Sequence, residues 1–332
     1  MEPLILITVF ISFFCTYLAM PFWIKKAKQI GLVWEDMNKY QKEKNVAGSG
    51  GIIVVVGAII GIFMYIAIQT FYFKSLDGTS IKIFAMTTTL LLVAGIGLID
   101  DLFGWKKGGL SKRSRIILVL FAAIPLMVIN AGESHVLGME LGILFPLLVL
   151  PIGIIGATTT FNFLAGFNGL EARQGILLIG AMSLVTYLTG NSWLTVIGLC
   201  LVAALIAFYI FNANPARIFP GDALTYAVGA AVACMAILGN AEKIAIFFFI
   251  PYILETLLKL RGGLKKQSFG KPNPDGSLEL PYEKIYGLEH LAIAILKKIK
   301  SNKKAYENEV VTLINIFQIL IIALGFILFI RL

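Results

Sequence analysis

Three short stretches of this 332-residue chain place acids and amides where the surrounding sequence is otherwise apolar. The first is Leu98-Ile99-Asp100-Asp101-Leu102-Phe103-Gly104, with two adjacent carboxylates at the edge of an apolar run. Desolvation and mutual repulsion make such a pair favour a cation, a proton or a lysine nearby; a solvated helix end is the plainer reading of the same residues. The second runs from Thr160 to Arg173, where Asn162, Asn168, Glu171 and Arg173 interrupt a Gly-bearing apolar run with no amphipathic pattern. Polar groups so placed either line a cavity or cap helix ends across a tight turn. The third, Asn212 to Asp222, holds Arg217, Phe219 and a Pro220-Gly221 turn, after which Asp222 stands as the N-terminal cap of the next helix. Asp and Asn oxygens are hard ligands that suit Mg²⁺, an ion that keeps several waters and completes its shell with substrate phosphates. Basic residues in 106–115 and 259–271 could hold a diphosphate and neutralise charge moving to a leaving group. Such a set calls for phosphoryl transfer. A Walker phosphate loop is not its basis, because Gly48-Ser49-Gly50-Gly51 lacks the required Lys.

The elements that must position these residues are membrane helices. The chain is 58% hydrophobic and 14% charged, with a mean hydropathy of +0.87, far more apolar than a water-soluble domain of this size. Apolar stretches able to cross a hydrocarbon core of about 30 Å recur at 4–24, 50–70, 83–99, 115–131, 141–160, 175–190, 193–211, 223–239, 243–258 and 310–330. The expectation is an all-α polytopic protein of about ten spans, forming one membrane domain over 1–332. Lys25, Lys26 and Lys28 follow the first span and no basic residue precedes it, as in an uncleaved helix with its N-terminus outside. Connections at 25–49, 100–115, 161–174, 212–222 and 259–309 carry 24 of the 28 Lys and Arg; the other side keeps Lys74, Lys82, Lys243 and Arg331. The positive-inside rule makes the first set cytosolic, and with it every acid and amide singled out above.

The net charge of +9 is therefore local to one side, and basic juxtamembrane loops beside anionic lipid give no case for a nucleic-acid partner. Cys15, Cys200 and Cys234 fall in apolar spans without metal-ligand spacing, and His135 and His290 are the only histidines, so disulfides, zinc and haem have no support. A transporter would carry its polar residues near span midpoints and in paired broken helices; here the acids sit at span ends.

Read in order, Asp36-Met37-Asn38-Lys39, Asp100-Asp101, the run N-F-L-A-G-F-N-G-L-E from Asn162 to Glu171, and Phe219-Pro220-Gly221-Asp222 resemble the polyprenyl-phosphate N-acetylhexosamine-1-phosphate transferases. Within that family the chain is most similar to the eukaryotic and archaeal dolichyl-phosphate branch, with Gly276-Ser277-Leu278-Glu279 and Thr312-Leu313-Ile314-Asn315 as further points of likeness. The resemblance implies transfer of N-acetylglucosamine-1-phosphate from UDP-GlcNAc to a polyprenyl phosphate, giving a lipid-linked sugar diphosphate and UMP, the first membrane step of lipid-linked glycan assembly. Undecaprenyl phosphate is the alternative acceptor. It further implies Mg²⁺, replaceable by Mn²⁺, on Asn162 and Asp222; Phe219 stacked on uracil; and Asn168 and the backbone around Met37 on the uridine, beside Asn38, Lys39 and Glu171. Arg115 falls where the family keeps a basic residue near the phosphates. Asp100 and Asp101 would orient or deprotonate the lipid phosphate. That phosphate is already largely dianionic, which favours direct attack on the sugar-bearing phosphorus over a covalent Asp intermediate.

Two departures from the family stand out. Its Pro-Glu would fall near Val46-Ala47, where there is no acid, and the His-containing basic motif of its last cytosolic loop is missing. In that loop stand Arg261, Lys265, Lys266 and Lys271, which either bind the diphosphate or serve the inside-positive charge bias. Pro272, Pro274 and Pro281 predict extended chain there, before an amphipathic helix at 287–300 with Leu288, Leu291, Ile295 and Ile299 on one face. That helix lies either on the lipid surface or on the protein's own cytosolic face. By resemblance the protein is a homodimer in a prokaryotic plasma membrane or the endoplasmic reticulum.

Overall fold

The computed structural model describes residues 3–41, 44–75, 78–133, 135–136 and 139–330. Helices dominate. In chain order they are α1 (Pro3–Ile30), α2 (Gly51–Ala67), α3 (Thr79–Lys107), α4 (Lys112–Ala122), α5 (Ile124–Val128), α6 (Leu150–Phe163), α7 (Leu170–Leu188), α8 (Ser192–Asn212), α9 (Gly221–Leu238), α10 (Glu242–Phe248), α11 (Ile250–Arg261), α12 (Leu288–Ile299) and α13 (Glu307–Phe329). A π-helical turn extends α2 through Tyr72 and another, Phe145–Val149, leads into α6. Among the described residues seven of these helices, α1, α2, α3, α6, α8, α9 and α13, with their π turns, are long and apolar enough to cross a membrane. The other three expected stretches are helical too. The stretch at 115–131 is split between α4 and α5, 243–258 is split between α10 and α11, and 175–190 lies on α7. Each split falls just before an Ile-Pro pair, Ile124-Pro125 or Ile250-Pro251, where proline withholds the N–H that a continuous helix would use.

The helix carrying Asp222 is central. The apolar window of α9 is 89% buried, against 22% for α1, and α9 packs on α2, α3, α6, α7, α8 and α10. Asp100 and Asp101 do not end their helix as the sequence reading has it. α3 runs on to Lys107 and stops at left-handed Gly108, so both acids project from within a helix.

Short strands, absent from the all-α expectation, tie the loops together. β1 (Val33–Glu35) pairs antiparallel with β2 (Lys44–Ala47), and β3 (His135–Val136) with β4 (Met139–Glu140). β5 (Lys271–Pro272), β6 (Ser277–Glu279) and β7 (Ala305–Tyr306) form a three-stranded sheet with β6 in the middle, so the proline-rich stretch is extended as predicted and closes around α12. α12 buries Leu288, Ala292 and Ile293 against the protein's own body. The four-residue stripe expected for it divides, because Leu291 and Ile299 are exposed, Ile299 at 77%. The side chains of Lys106 and His135, and the whole of Arg331, lie outside the described residues.

Candidate active site

One end of the bundle gathers the C-terminal ends of α1, α3, α6, α8 and α11 and the N-terminal ends of α2, α4, α7, α9 and α13, and there a cleft of about 810 Å³ opens, lined by α3, α6, α7, α9 and the loops beside them. Its first wall is a backbone clamp. Phe219 N–H donates to Ala47 O at 2.7 Å, while Gly50 and Gly51 donate to the carbonyls of Phe219 and Pro220, each at 2.9 Å. Asn212 Nδ2 secures Ile218 O at 2.9 Å from beneath. Two glycines make this approach feasible. A Cβ on Gly51 would lie 2.5 Å from Leu224 Cα, and one on Gly221, whose φ is +69°, would strike the Asp101 carboxylate, 2.9 Å from its Cγ. The clamp leaves the Phe219 ring on the cleft and delivers the chain into α9 at a fixed angle.

Asp222 does not cap α9: the cap position belongs to Pro220 and no side chain closes it. The Asp222 N–H donates instead to Asp101 Oδ1 at 2.8 Å, reaching across from α3, so the Asp222 carboxylate is free to face the cleft. One turn on, Thr225 Oγ1 lies 3.1 Å from Asn162 Oδ1 on α6 and 3.3 Å from Asp222 O, placing the two residues expected to hold a metal side by side. Arg115 on α4 is gripped by Asp100, with Nε 2.5 Å from Oδ2 and Nη2 3.0 Å from Oδ1, and its Nη1 stands 3.9 Å from Asp222 Oδ2. Asp100 is 2% exposed and also accepts from Leu110 N–H at 2.7 Å and Tyr226 OH at 3.4 Å. Its oxygens thus hold Arg115, the loop before α4 and Tyr226 on α9. Asp101, by contrast, lines the cleft.

The opposite wall is made of loops. Met37 and Glu171 line it, and Gly166 N–H donates to Glu171 Oε1 at 2.8 Å. Asn38 is buried and acts as a staple: Nδ2 donates to Gly166 O at 2.8 Å, and Oδ1 accepts from Gly270 N–H at 3.2 Å. Asn168 is also buried, its Nδ2 donating to Asp36 Oδ2 at 2.8 Å, so it supports the wall from behind. Lys39 turns away from the cleft lining to Glu307 and to Asn214 Oδ1, the latter at 2.7 Å. The basic quartet Arg261, Lys265, Lys266 and Lys271 is exposed and outside the cleft lining; Lys266 stacks over the rings of Tyr282 and Tyr286, 4.6 and 5.6 Å from their centroids.

Asp222 and Asn162 supply hard oxygens, and among the described residues no group of three or more His, Cys, Asp or Glu side chains is arranged to hold a metal. A site with so few protein donors fits an ion such as Mg²⁺, which keeps waters and takes phosphate oxygens, and does not fit a closed zinc-type cage.

Comparison with known proteins places this geometry. A provisionally named UDP-N-acetylglucosamine–dolichyl-phosphate N-acetylglucosaminephosphotransferase of Saccharolobus solfataricus is 33% identical over 302 residues, covering 87% of this chain and 88% of the relative. The model of glycosyl transferase family 4 matches residues 83–240. The chain belongs to glycosyl transferase family 4. A protein of the same provisional name from Sulfolobus acidocaldarius is 31% identical over 300 residues, 88% of each chain. A phospho-N-acetylmuramoyl-pentapeptide-transferase of Halalkalibacterium halodurans is 26% identical over 277 residues, 77% of this chain and 82% of the relative. The matched family 4 segment contains Asp100, Asp101, Arg115, Asn162, Asn168, Glu171, Phe219 and Asp222, whereas the loops at 37–39 and 261–271 lie outside it.

Sequence reasoning on this family 4 chain gave no role to several residues of the cleft, although Asp36 and Ser49 stood inside motifs it quoted. Trp34 and Asp36 line the cleft from β1 and the turn after it, and Ser49 and Thr225 line it from the clamp and α9. Gln267 and Phe269 close it from the last loop. That loop is anchored by Lys259, nearly buried on α11, which pairs with Glu255 Oε1 at 3.5 Å and donates to Ser268. Glu255 Oε2 in turn accepts from Leu288 N–H at 2.6 Å, fastening α12. Beside it Glu289 is wholly buried; burial and the neighbouring Glu255 push its carboxyl well above the usual range. The adjacency of Asp36 to Met37 was the one signal that could have found any of these.

Proposed function

We propose that this protein transfers N-acetylglucosamine-1-phosphate from UDP-GlcNAc to a polyprenyl phosphate, dolichyl phosphate in preference to undecaprenyl phosphate, and releases UMP. The observation that carries the reading is the convergence of Asn162, Asp222 and Asp101 on one cleft, with the Asp100–Arg115 pair beside Asp222, in a chain 33% identical to a relative named for that reaction. Mg²⁺ held by Asn162 and Asp222 would neutralise the donor's diphosphate. The chain's own residues do the rest. Asp101 fixes the Asp222 backbone, and Asp100 holds Arg115 beside Asp222, where the guanidinium meets negative charge on the departing UMP. Phe219 offers its ring to uracil, with Met37 on the facing wall. A phosphate oxygen of the lipid attacks the sugar-bearing phosphorus; the new P–O bond forms as the bridging P–O bond to UMP breaks.

Ten crossings with the N-terminus outside and the cleft in the cytosol complete the proposal. Its support is that ten helical stretches alternate direction along the chain, each with one end on the side of the bundle that holds the cleft, and that the connections on that side carry 24 of 28 Lys and Arg. The test uses purified protein, radiolabelled UDP-GlcNAc, Mg²⁺ and either lipid phosphate. Lipid-linked sugar and UMP should form in equal amounts, chelation by EDTA should abolish both, and added Mg²⁺ should restore them. Absence of turnover with every UDP-sugar offered would overturn the reading.

A further inference from the structure

Glu307 opens α13, far in sequence from every motif of the site, yet its carboxylate is buried beneath the cleft wall, 4% exposed. One oxygen, Oε1, accepts the Asn168 N–H at 2.8 Å. The other is paired with Lys39, which also donates to Asn214 Oδ1 at 2.7 Å. Asn168 in turn holds Asp36 Oδ2 at 2.8 Å, and Asp36 lines the cleft next to Met37. One carboxylate therefore fastens three loops, those before α2, before α7 and before α9, to the first turn of the last helix. A buried carboxylate between a backbone N–H and an ammonium has no inexpensive alternative partner, so the connection is rigid.

We infer that Glu307 and Lys39 form a positioning pair that sets the shape of the donor-binding wall, and that Lys39 acts through this pair and not as a ligand of the substrate. This rests on the transferase reading for its kinetic arm only. Removing the pair frees Asp36, Met37 and Gly166 to move while the Asn162–Asp222 edge, held by α3, α6 and the clamp, stays in place. The loss falls on binding of the nucleotide sugar, not on the chemical step.

The test compares full-length wild type, Glu307→Gln, Lys39→Met and the double variant in detergent. The KM for UDP-GlcNAc should rise about tenfold in each single variant, with kcat changed less than about twofold, and the double variant should be no worse than either single one. Glu307→Ala, which also loses the Asn168 acceptor, should be weaker than Glu307→Gln. Amide hydrogen exchange, which needs no turnover, should accelerate in peptides spanning 34–40 and 164–170 and stay unchanged at the start of α9. Should Glu307→Ala fail to fold, Lys39→Met and Glu307→Gln decide the matter alone. Additive losses in the double variant, a fall in kcat with unchanged KM, or unaltered exchange in both loops would overturn the inference. Faster exchange in the two loops of a protein that turns over no UDP-sugar would uphold the pair's structural role and sink the proposed reaction instead.

Discussion

Asp222 meets two demands with separate atoms. Its N–H belongs to Asp101 and its carboxylate to the cleft, so replacing the side chain should leave the start of α9 intact. Asp222→Ala should lower Mg²⁺-dependent turnover by at least about 10²-fold while the thermal midpoint and gel-filtration profile in detergent stay near wild type. Wild-type rates would remove Asp222 from the proposed metal site. Arg115→Lys separates charge from geometry. The fork that grips both oxygens of Asp100 and still faces Asp222 cannot be copied by an ammonium, so kcat should fall about tenfold or more with little change in KM. At this scale the sequence was informative wherever a residue type was unusual for its setting. Asn162, Asp222 and Phe219 stood out as polar or turn-bound groups in lipid-facing sequence, and the structure brings them to one cleft. Asp222 was misread as a cap because Pro-Gly-Asp is a good helix start whatever the third residue does. Asn168 and Lys39 were expected on the uridine by resemblance alone, and a resemblance does not say which side chain of a wall faces the cleft; here they bond to Asp36 and to Glu307 and Asn214.

Among the elements, α2 presses directly on the α9 backbone beside the cleft. Gly51→Ala should cost about 1–3 kcal/mol, read as a lowered thermal midpoint, because the obstacle is the α9 backbone at Leu224 and not a side chain that can turn aside. α12 responds to pH. Glu289 titrates well above its unfolded value near 4.5 because burial and Glu255 disfavour its charge, while Lys259 opposes them and Glu171 adds to them. A carboxyl with a raised folded value contributes stability that is fully present below the unfolded value and is lost as pH rises through the folded one. Glu289→Gln should therefore gain in thermal midpoint over wild type as pH goes from about 5 to about 9; a difference that stays flat with pH would refute it. Helix positions were legible because lipid-crossing runs have a length and composition no other element shares. Helix ends were not: α3 outlasts its apolar run by several residues because Asp100 and Asp101 find partners on α4 and α9 instead of water. Nor could strands of two to four residues declare a period of two.

For the whole molecule, the proposed ten-crossing topology makes an accessibility prediction. In a Cys15→Ser background, with Cys200 and Cys234 buried, Lys265→Cys should react with an impermeant maleimide only in inside-out vesicles, and Lys74→Cys only in right-side-out ones. Labelling of both from the same side would refute the arrangement. β5 and β6 stand just before the segment 280–304 and β7 just after it, hydrogen-bonded to β6. The segment that carries α12 is thus closed at its root and packed on the body. Lys300 grips both oxygens of Glu309, at 2.7 and 2.9 Å, and Lys304 pairs with Asp275 Oδ2 at 2.6 Å, so the turn at 300–304 works as a buckle: residues inserted there would pull on the register at which Glu307 begins the last helix, and a purification tag belongs elsewhere.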